Sequence, residues 1–308
     1  MKRIYILLVL IVLCFVTSSM EIHELLVNGV SSYLHVDFKS LVTNGVITKY
    51  QKSAVGDDSK EVNVFAEKTD FYPEKHLNNV LILVGDKVFS DSKDVAIVFN
   101  GKMNKAKMLK YFLDEKLKNY KEEKVGKSVY YTAKDGYTFT FLNNDTIMFG
   151  GIKLLKNITE NASKKVINKN LVNDFIANKS NNIRGTFLFS DEQKKLIKKT
   201  YPKFPAIEGI KSLDILVEMA KGIGISVVIN TLKKEDAVEL TSLLNNLKLL
   251  GIVYGAKLGV SGIISKAEVL RGDFNTSLNI NLSDNDIVEL KKIYNSMKLR
   301  QKNGSNTK

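Results

Sequence analysis

Apolar residues recur along the chain in two patterns, alternation over short segments and spacings of three or four over longer ones. Residues 32–38 alternate between apolar and polar side chains, which predicts a half-buried strand, and residues 39–51 are expected to continue as a helix. Residues 105–117 and 234–247 carry apolar residues at the helical spacing, which predicts two amphipathic helices, each with one buried face.

The same succession of patterns occurs twice, about 130 residues apart. Residues 97–100 (Ile-Val-Phe-Asn) resemble residues 227–230 (Val-Val-Ile-Asn), and each strand-like segment leads through a polar turn into one of the two helices. A hairpin is predicted after each helix, because Asp135-Gly136 and Gly272-Asp273 lie between β-rich segments. The paired segments are 128–133 with 137–142, and 265–270 with 274–282.

These patterns predict an α+β protein of two tandem similar units, each with the order β-α-β-β-α-β-β-α. The first six elements follow the ferredoxin-like order, with an added hairpin strand, so we expect an antiparallel sheet covered by helices on one face. The predicted units are residues 20–165 and 166–300, followed by a disordered basic tail at 301–308. Residues 51–68 are polar and are predicted to form a loop in the first unit.

The N-terminus has the pattern of a secretory signal peptide. Met1-Lys2-Arg3 is followed by an apolar segment at 4–16 and by the small residues 17–19, so the mature chain is expected to begin near Met20. The alternative is an uncleaved membrane anchor. Thirteen residues of helix span only about 20 Å of a hydrocarbon core that is about 30 Å thick, which favours cleavage.

Cys14 is the one cysteine of the chain and lies within this apolar segment. A lipoprotein cleavage site requires a small residue immediately before the cysteine, whereas Leu13 is bulky, so lipidation is the less favoured interpretation. Removal of residues 1–19 would leave a mature chain without cysteine, and therefore without thiol catalysis or disulfides.

The chain of 308 residues contains 46 lysine and arginine residues against 33 aspartate and glutamate residues, a formal net charge of +13. Only Arg3, Arg184, Arg271 and Arg300 are arginine. Recognition of bases and phosphates relies on the planar guanidinium, so a dispersed lysine charge does not predict a nucleic-acid partner. It allows weak contact with an anionic membrane or cell-wall polymer through long-range attraction.

No residue pattern announces a reaction. The three histidines, His23, His35 and His76, are not spaced as a metal motif, and no P-loop, dinucleotide loop or nucleophile elbow occurs. His35 and Asp37 lie two apart on a predicted strand and share a face, which is the one arrangement here with catalytic potential. The sequence assigns no catalytic residue, no cofactor-binding residue, no metal ligand and no cofactor.

The segments at 95–100, 105–117 and 137–150, the last containing Asn143-Asn144-Asp145-Thr146-Ile147, follow an export signal. In this respect the chain resembles a loosely defined group of uncharacterised exported bacterial proteins with two duplicated α+β halves. The resemblance concerns architecture, and it implies export but no activity or functional residue.

The sequence therefore favours an exported envelope protein, periplasmic or at the cell surface, that is not an enzyme and acts by binding or as a scaffold. Its partner would be an envelope protein or a small ligand, and the oligomeric state is not indicated. Two alternatives stay open. One is a hydrolase of envelope polymers that uses scattered histidines and carboxylates, and the other is lysine-mediated binding to anionic lipid or cell wall.

Overall fold

The computed structural model describes residues 21–47, 59–88, 90–117, 119–200, 205–219 and 222–304. The predicted signal peptide with Cys14 lies outside these residues, as do the last four residues of the predicted tail.

Twelve strands form the structural frame of the described chain. They are β1 (Val30–Asp37), β2 (Leu77–Gly85), β3 (Val95–Gly101), β4 (Tyr120–Val125), β5 (Ser128–Ala133), β6 (Tyr137–Phe141), β7 (Thr146–Gly151), β8 (Ile183–Leu188), β9 (Ile210–Glu218), β10 (Ile223–Thr231), β11 (Glu268–Arg271) and β12 (Asn275–Leu282). Valine, isoleucine, threonine and aromatic residues dominate these segments, as is usual for strands.

All twelve strands belong to one antiparallel sheet. β1 and β8 pair at its middle, where Tyr33 lies opposite Thr186 and His35 opposite Arg184. Outward from this pair the order is β1-β2-β3-β7-β6-β5-β4 on one side and β8-β9-β10-β12-β11 on the other. Strands from residues 30–151 thus form one half of the sheet, and strands from residues 183–282 form the other.

Ten α-helices connect and cover the strands of the described chain. They are α1 (Phe38–Thr43), α2 (Ser59–Thr69), α3 (Pro73–His76), α4 (Lys105–Tyr111), α5 (Ile152–Ser163), α6 (Lys169–Ala177), α7 (Asp191–Thr200), α8 (Lys234–Ala256), α9 (Ser261–Ser265) and α10 (Asp284–Gly304). A π-helical turn, Phe112–Lys116, extends α4, and short 3₁₀ turns lie at Ile22–Leu25 and Pro205–Gly209.

The first half of the sheet is covered on both faces. Val98 and Met148 belong to a core with α5 and α6, whereas Phe99 and Ile147 pack in a second core with α4 and the π-helical turn. Neighbouring residues of a strand point to opposite faces, so the two cores lie on opposite sides of the sheet. α6 begins after the predicted boundary between the units, yet its Phe175 packs in a core with first-half residues.

The second half has a smaller core on the side of α7 and α8. Ile210 and Ile229 from the sheet contact Leu240 from α8, and Leu213 and Leu244 pack against this cluster. The strand positions between these residues, such as Ser212 and Asn230, point to the opposite face.

Several sequence predictions are confirmed and others are wrong. The ten predicted strands and the long helices exist near their predicted positions, but pairing is not ferredoxin-like, since β1 pairs with β2 and not with β3. Helices cover both faces rather than one. Residues 59–68 form most of α2 instead of a loop, and α10 continues through Gly304 into the predicted tail. The strands β4 and β7 and the helices α6 and α9 were not predicted.

Candidate functional site

The outer face of the C-terminal half of α8 is apolar and exposed to solvent. Val253 is 67% exposed, Tyr254 64% and Leu249 61%, and about half of each of Leu247 and Leu250 is exposed as well. At about 100° per residue these positions cover roughly half of the helix circumference. We call the exposed face formed by Leu247, Leu249, Leu250, Val253 and Tyr254 the α8 apolar face. Leu258, just beyond the helix, is also half exposed.

The opposite side of the same helix is occupied by α9. A Cβ placed on Gly255 would lie 2.9 Å from Ile264 Cδ1 and 3.1 Å from Val260 Cγ2, and one on Gly251 would lie 3.3 Å from Ile264 Cγ2. The absence of side chains at these two positions lets α9 fold back closely against α8. Leu249, Leu250, Val253 and Tyr254 are therefore left on the side of α8 that faces away from α9.

The chain segment that contains the α8 apolar face carries only positive charges. Between Glu239 and Glu268 the chain contains no acidic residue and three lysines, Lys248, Lys257 and Lys266. Lys266 donates to both oxygens of Asp286 at 2.6 Å. Within the described residues, no carboxylate forms an ion pair with Lys248 or Lys257. Lys257 follows Val253 by four residues and so lies beside the α8 apolar face, whereas Lys248 projects from the opposite side of the helix. An apolar surface with an unneutralised lysine beside it can bind a surface that combines apolar and anionic groups.

None of the helices in the described ranges combines the length and the apolar composition that crossing a bilayer requires.

A polar cavity of about 400 Å³ lies on the other face of the second half, beside the β1–β8 junction. α6 contributes Asp174, β8 contributes Thr186, β9 contributes Asp214, and β10 contributes Asn230. Thr186 lies directly opposite Asp214 in the sheet, and Ser212 lies opposite Asn230. The cavity is also lined by Asn170, Asn173, Leu188, Lys211, Ser212, Thr231, Phe274 and Asn275.

Asp174 is a well-bonded carboxylate on the wall of this polar cavity. Its Oδ2 accepts from the Tyr33 hydroxyl at 3.0 Å and from the Thr186 hydroxyl, and its Oδ1 accepts from Asn178 Nδ2 at 3.3 Å. Burial, and then the Asp174 carboxylate, raise the pKa of Tyr33 well above its usual range, so the hydroxyl stays protonated and continues to donate.

The carboxylate of Asp214 has fewer hydrogen-bond partners than that of Asp174, although Asp214 is only 9% exposed. Its Oδ2 accepts from Asn230 Nδ2 at 2.6 Å, whereas its buried Oδ1 has no hydrogen-bond partner among the described residues. Burial raises the pKa of Asp214, and the nearby Asp174 carboxylate raises it further. Two carboxylates thus share one polar cavity and differ in how completely they are hydrogen-bonded.

The sequence-predicted pair His35 and Asp37 does not form an accessible catalytic arrangement. His35 is 2% exposed, its Nε2 lies 2.9 Å from Asn79 Oδ1, and its ring contacts Phe175 edge-on. Burial and the charge of Arg184 lower the pKa of His35 to about 4, so the ring is neutral at pH 7. Asp37 Oδ1 instead accepts from Ser40 N and caps α1.

The other two histidines have separate local partners. His23 Nδ1 lies 3.2 Å from Glu21 Oε2, and His76 Nδ1 accepts from Tyr72 N at 3.1 Å. Over the part of the chain that the structure describes, no three histidine, cysteine, aspartate or glutamate residues are grouped so that they could hold a metal ion.

An aromatic cavity of about 600 Å³ lies between the π-helical turn and the first half of the sheet. Its walls are the rings of Phe65, Tyr111, Phe112, Tyr137, Phe139 and Phe149. Lys116 and Asp135 also line it, so the two charged groups of this cavity carry opposite charges. Such a cavity suits an apolar or aromatic group without a strong preference for either sign of charge.

The sequence contained a signal for the α8 apolar face but none for the polar cavity. Residues 247–258 are too rich in apolar residues for a helix with one buried stripe, and that excess marks an exposed apolar surface. Asp174, Thr186 and Asp214 come from three elements that only the sheet topology brings together.

Known proteins give little further guidance. No family model matches the chain, and no curated protein matches it. Among solved structures, crystal form I of the Treponema protein TP0453 is similar over 91% of this chain and 98% of its own, with 8% identity and a TM-score of 0.48. Crystal forms III and IV of TP0453 give identities of 10% and 9% and TM-scores of 0.49 and 0.47. The match to form III covers 91% of this chain and 100% of that structure. The match to form IV covers 86% of this chain and 94% of that structure.

Proposed function

We propose that this protein is a non-enzymatic binding protein of the cell envelope, and that it attaches to an anionic lipid surface through the α8 apolar face. The exposed apolar residues at 247–254, with Lys257 next to them and without an ion pair among the described residues, are the observation that carries this proposal. Attachment would be peripheral, with α8 lying along the headgroup region.

Two physical effects support a lipid surface as the partner. Burying a half-exposed leucine or valine contributes on the order of 1 kcal/mol, and the α8 apolar face offers four such residues together with Tyr254. Each lysine close to an anionic leaflet contributes about 1 kcal/mol more. A protein partner would satisfy the apolar residues equally well but would not require positive charge beside them.

The test is flotation of the protein with vesicles of phosphatidylcholine and phosphatidylglycerol in equal parts. We expect the wild-type chain to float with these vesicles, and the double variant Leu250→Glu/Val253→Glu to lose at least about tenfold in partition coefficient, because apolar burial is replaced by anionic repulsion. Lys257→Gln should weaken partition about fivefold.

The matched control is Val238→Glu, which introduces the same group at an exposed position of α8 outside the apolar face. It should float as the wild type does. Equal flotation of the double variant and the wild type would contradict the proposal. Self-association of the wild type that the double variant abolishes, without flotation, would assign the α8 apolar face to a second copy instead.

Export is the second part of the proposal. A positively charged start, an apolar segment and small residues at 17–19 support removal of residues 1–19 and a location in the periplasm or at the cell surface. The mature N-terminus of protein purified from its native cells would test this, since an intact Met1 would leave the uncleaved anchor as the explanation.

We also infer that the chain arose by duplication of one α+β unit, with units at 20–165 and 166–300. The support is the parallel between β1-β2-β3-β7 and β8-β9-β10-β12, in which each half runs outward from the middle of the sheet in the same order. A helix follows β1, β3 and β7, and likewise β8, β10 and β12.

A further inference from the structure

We propose that the aromatic cavity of the first half binds a zwitterionic aromatic molecule of the size of a free aromatic amino acid. The ring of the ligand packs among the aromatic side chains, its carboxylate faces Lys116, and its ammonium group faces Asp135. The lining includes no residue of the α8 apolar face. The ligand therefore does not depend on attachment to lipid.

Several rings of the aromatic cavity are within reach of a ligand. Phe65, Phe112 and Phe149 are half-buried, and Tyr137 is 54% exposed. The centre of the Phe112 ring lies 5.2 Å from that of Phe139 and 5.5 Å from that of Phe149, and the ring planes meet at 47° and 73°. Rings tilted in this way present both edges and faces, so a planar aromatic ligand can make the same kind of contact with them.

The widened turn after α4 places a cation on the wall of the same cavity. Leu117 N donates to Phe112 O at 2.8 Å and closes the π-helical turn, and both residues line the cavity together with Lys116. Glu115, next to Lys116, is instead paired with Lys68 of α2 at 2.6 Å. Single π-helical turns are rare and occur frequently at functional sites, so this turn is independent support for a ligand here.

Lys116 and Asp135 are the two charged groups of the lining, and both are exposed and able to contact a ligand. Neither forms an ion pair among the described residues. Lys116 Nζ lies 5.8 Å from the centre of the Tyr111 ring, and Asp135 Oδ1 accepts from Tyr137 N at 3.1 Å. Lys93 is another cation close to Asp135, but it donates to the backbone carbonyl at 2.6 Å and lines a neighbouring cavity. Both side-chain charges of the lining are therefore available to a ligand.

Opposite charges beside one aromatic cavity favour a ligand that carries both signs. A fatty acid would pair with Lys116 but face the like charge of Asp135, and an aromatic amine would do the reverse. A zwitterion satisfies both groups. The volume of about 600 Å³ lies within the range of about 300–1,000 Å³ that is usual for small-molecule sites, and it leaves room for waters between the ligand and the charged groups.

The chain contains no tryptophan, so the emission of an indole ligand can be followed without background from the protein. The experiment is titration of indole, indole-3-propionate, tryptamine and L-tryptophan with the full mature chain, followed by fluorescence anisotropy. The four probes share one ring system and differ in charge. We expect L-tryptophan to bind about tenfold more tightly than indole, through two exposed ion pairs. The two singly charged probes should bind no more tightly than indole, because attraction to one charged group is offset by repulsion from the other.

Variants of the lining locate the site. Ala133→Phe should fill the cavity and weaken binding of L-tryptophan at least about tenfold, and Tyr137→Ala should weaken it about fivefold through loss of a ring contact. Lys116→Gln should weaken binding of L-tryptophan about threefold but strengthen binding of tryptamine, because a repulsive charge is removed. Asp135→Asn should likewise weaken binding of L-tryptophan and strengthen binding of indole-3-propionate. A merely structural role of these two residues would not produce opposite changes for two probes.

The controls are Ala106→Phe, Lys110→Gln and Asp114→Asn, which alter exposed positions outside the lining and should leave binding unchanged. L-Leucine, which is zwitterionic but not aromatic, should displace L-tryptophan at least about tenfold less well than L-phenylalanine does. Failure of L-tryptophan to bind the folded wild-type chain, or equal affinity for indole, would overturn the proposal. Wild-type affinity in both Ala133→Phe and Tyr137→Ala, or equal displacement by L-leucine, would overturn it too.

Discussion

At the scale of single residues, His35 has a structural role that makes stability depend on pH. The unfolded chain takes up a proton on this histidine near pH 6.5, whereas in the folded protein its pKa is about 4. Between these values the unfolded state binds more protons. The stabilisation is thus complete above pH 6.5 and decreases as the pH falls towards 4, by about 3 kcal/mol in all.

His35→Gln provides the comparison, because the amide can still donate to Asn79 Oδ1 but cannot titrate. We expect the free energy of unfolding of the wild type to fall relative to that of the variant when urea denaturation is repeated at decreasing pH from 7.5 to 4.5. Contributions of carboxylates are common to both proteins and cancel. Two curves that stay parallel over this range would show that His35 is not the group responsible.

The sequence indicated which residues could take part in catalysis but not the role that each has in the folded protein. His35 and Asp37 do lie on one strand, and their spacing correctly places them two apart in β1. The role of each depends on partners distant in sequence or on local capping: Asn79 from β2 and Phe175 from α6 enclose His35, while Asp37 caps α1. No local pattern specifies such long-range neighbours.

At the scale of elements, the contact between α8 and α9 depends on Gly255. Valine at this position would place its Cβ 2.9 Å from Ile264 Cδ1 and 3.3 Å from the backbone nitrogen of Ser261, and would add two further carbon atoms. We expect Gly255→Val to lower the free energy of unfolding by about 2 kcal/mol, as overpacking does elsewhere. Chemical denaturation at neutral pH measures the change.

Gly262 offers a matched control in α9, because a Cβ there would meet no atom within 4 Å. Gly262→Val should change the free energy of unfolding by no more than about 0.5 kcal/mol, in keeping with an exposed site. A loss for Gly262→Val as large as that for Gly255→Val would mean that glycine is needed for local backbone freedom and not for close packing of α8 on α9.

Elements with a strong periodic pattern were predicted well, and the others were not. α7 occupies 191–200 as expected, and β5 and β6 flank the turn that Asp135-Gly136 indicated. β4 was missed because Tyr120–Val125 is mostly charged and lies at an edge of the sheet, where a strand needs no apolar face. The pattern at such a position is indistinguishable from that of a polar loop.

At the scale of the whole molecule, the order of elements was predictable but their pairing was not. A β-α-β-β-α-β succession is compatible with more than one order of strands in the sheet, and the local sequence patterns are the same for each order. Pairing depends on contacts such as β1 with β8, which joins residues about 150 apart in sequence. The same pairing creates the polar cavity, because it brings Asp174 and Thr186 beside Tyr33.

Asn182 shows how closely the halves of the sheet are joined. Its carbonyl accepts from Asp37 N at 2.8 Å, its Nδ2 donates to Ser40 Oγ at 2.8 Å, and its Oδ1 accepts from Met219 N at 2.6 Å. The backbone of Asn182 thus bonds the end of β1, and its buried side chain connects α1 in the first half with Met219, just after β9, in the second. Because the sheet and one core also cross this junction, we expect the two halves to unfold together.

Asn182→Ala tests this expectation. The loss of two hydrogen bonds should lower the free energy of unfolding by about 2 kcal/mol, and hydrogen exchange of the most protected amides should accelerate about thirtyfold in β3 and in β10 alike. Asn181→Ala is the control, because the side chain of Asn181 donates only to the nearby Asn178 carbonyl, so exchange should change little. Acceleration confined to β10 would mean that the second half unfolds by itself, and the continuous sheet would then join two independently folding units.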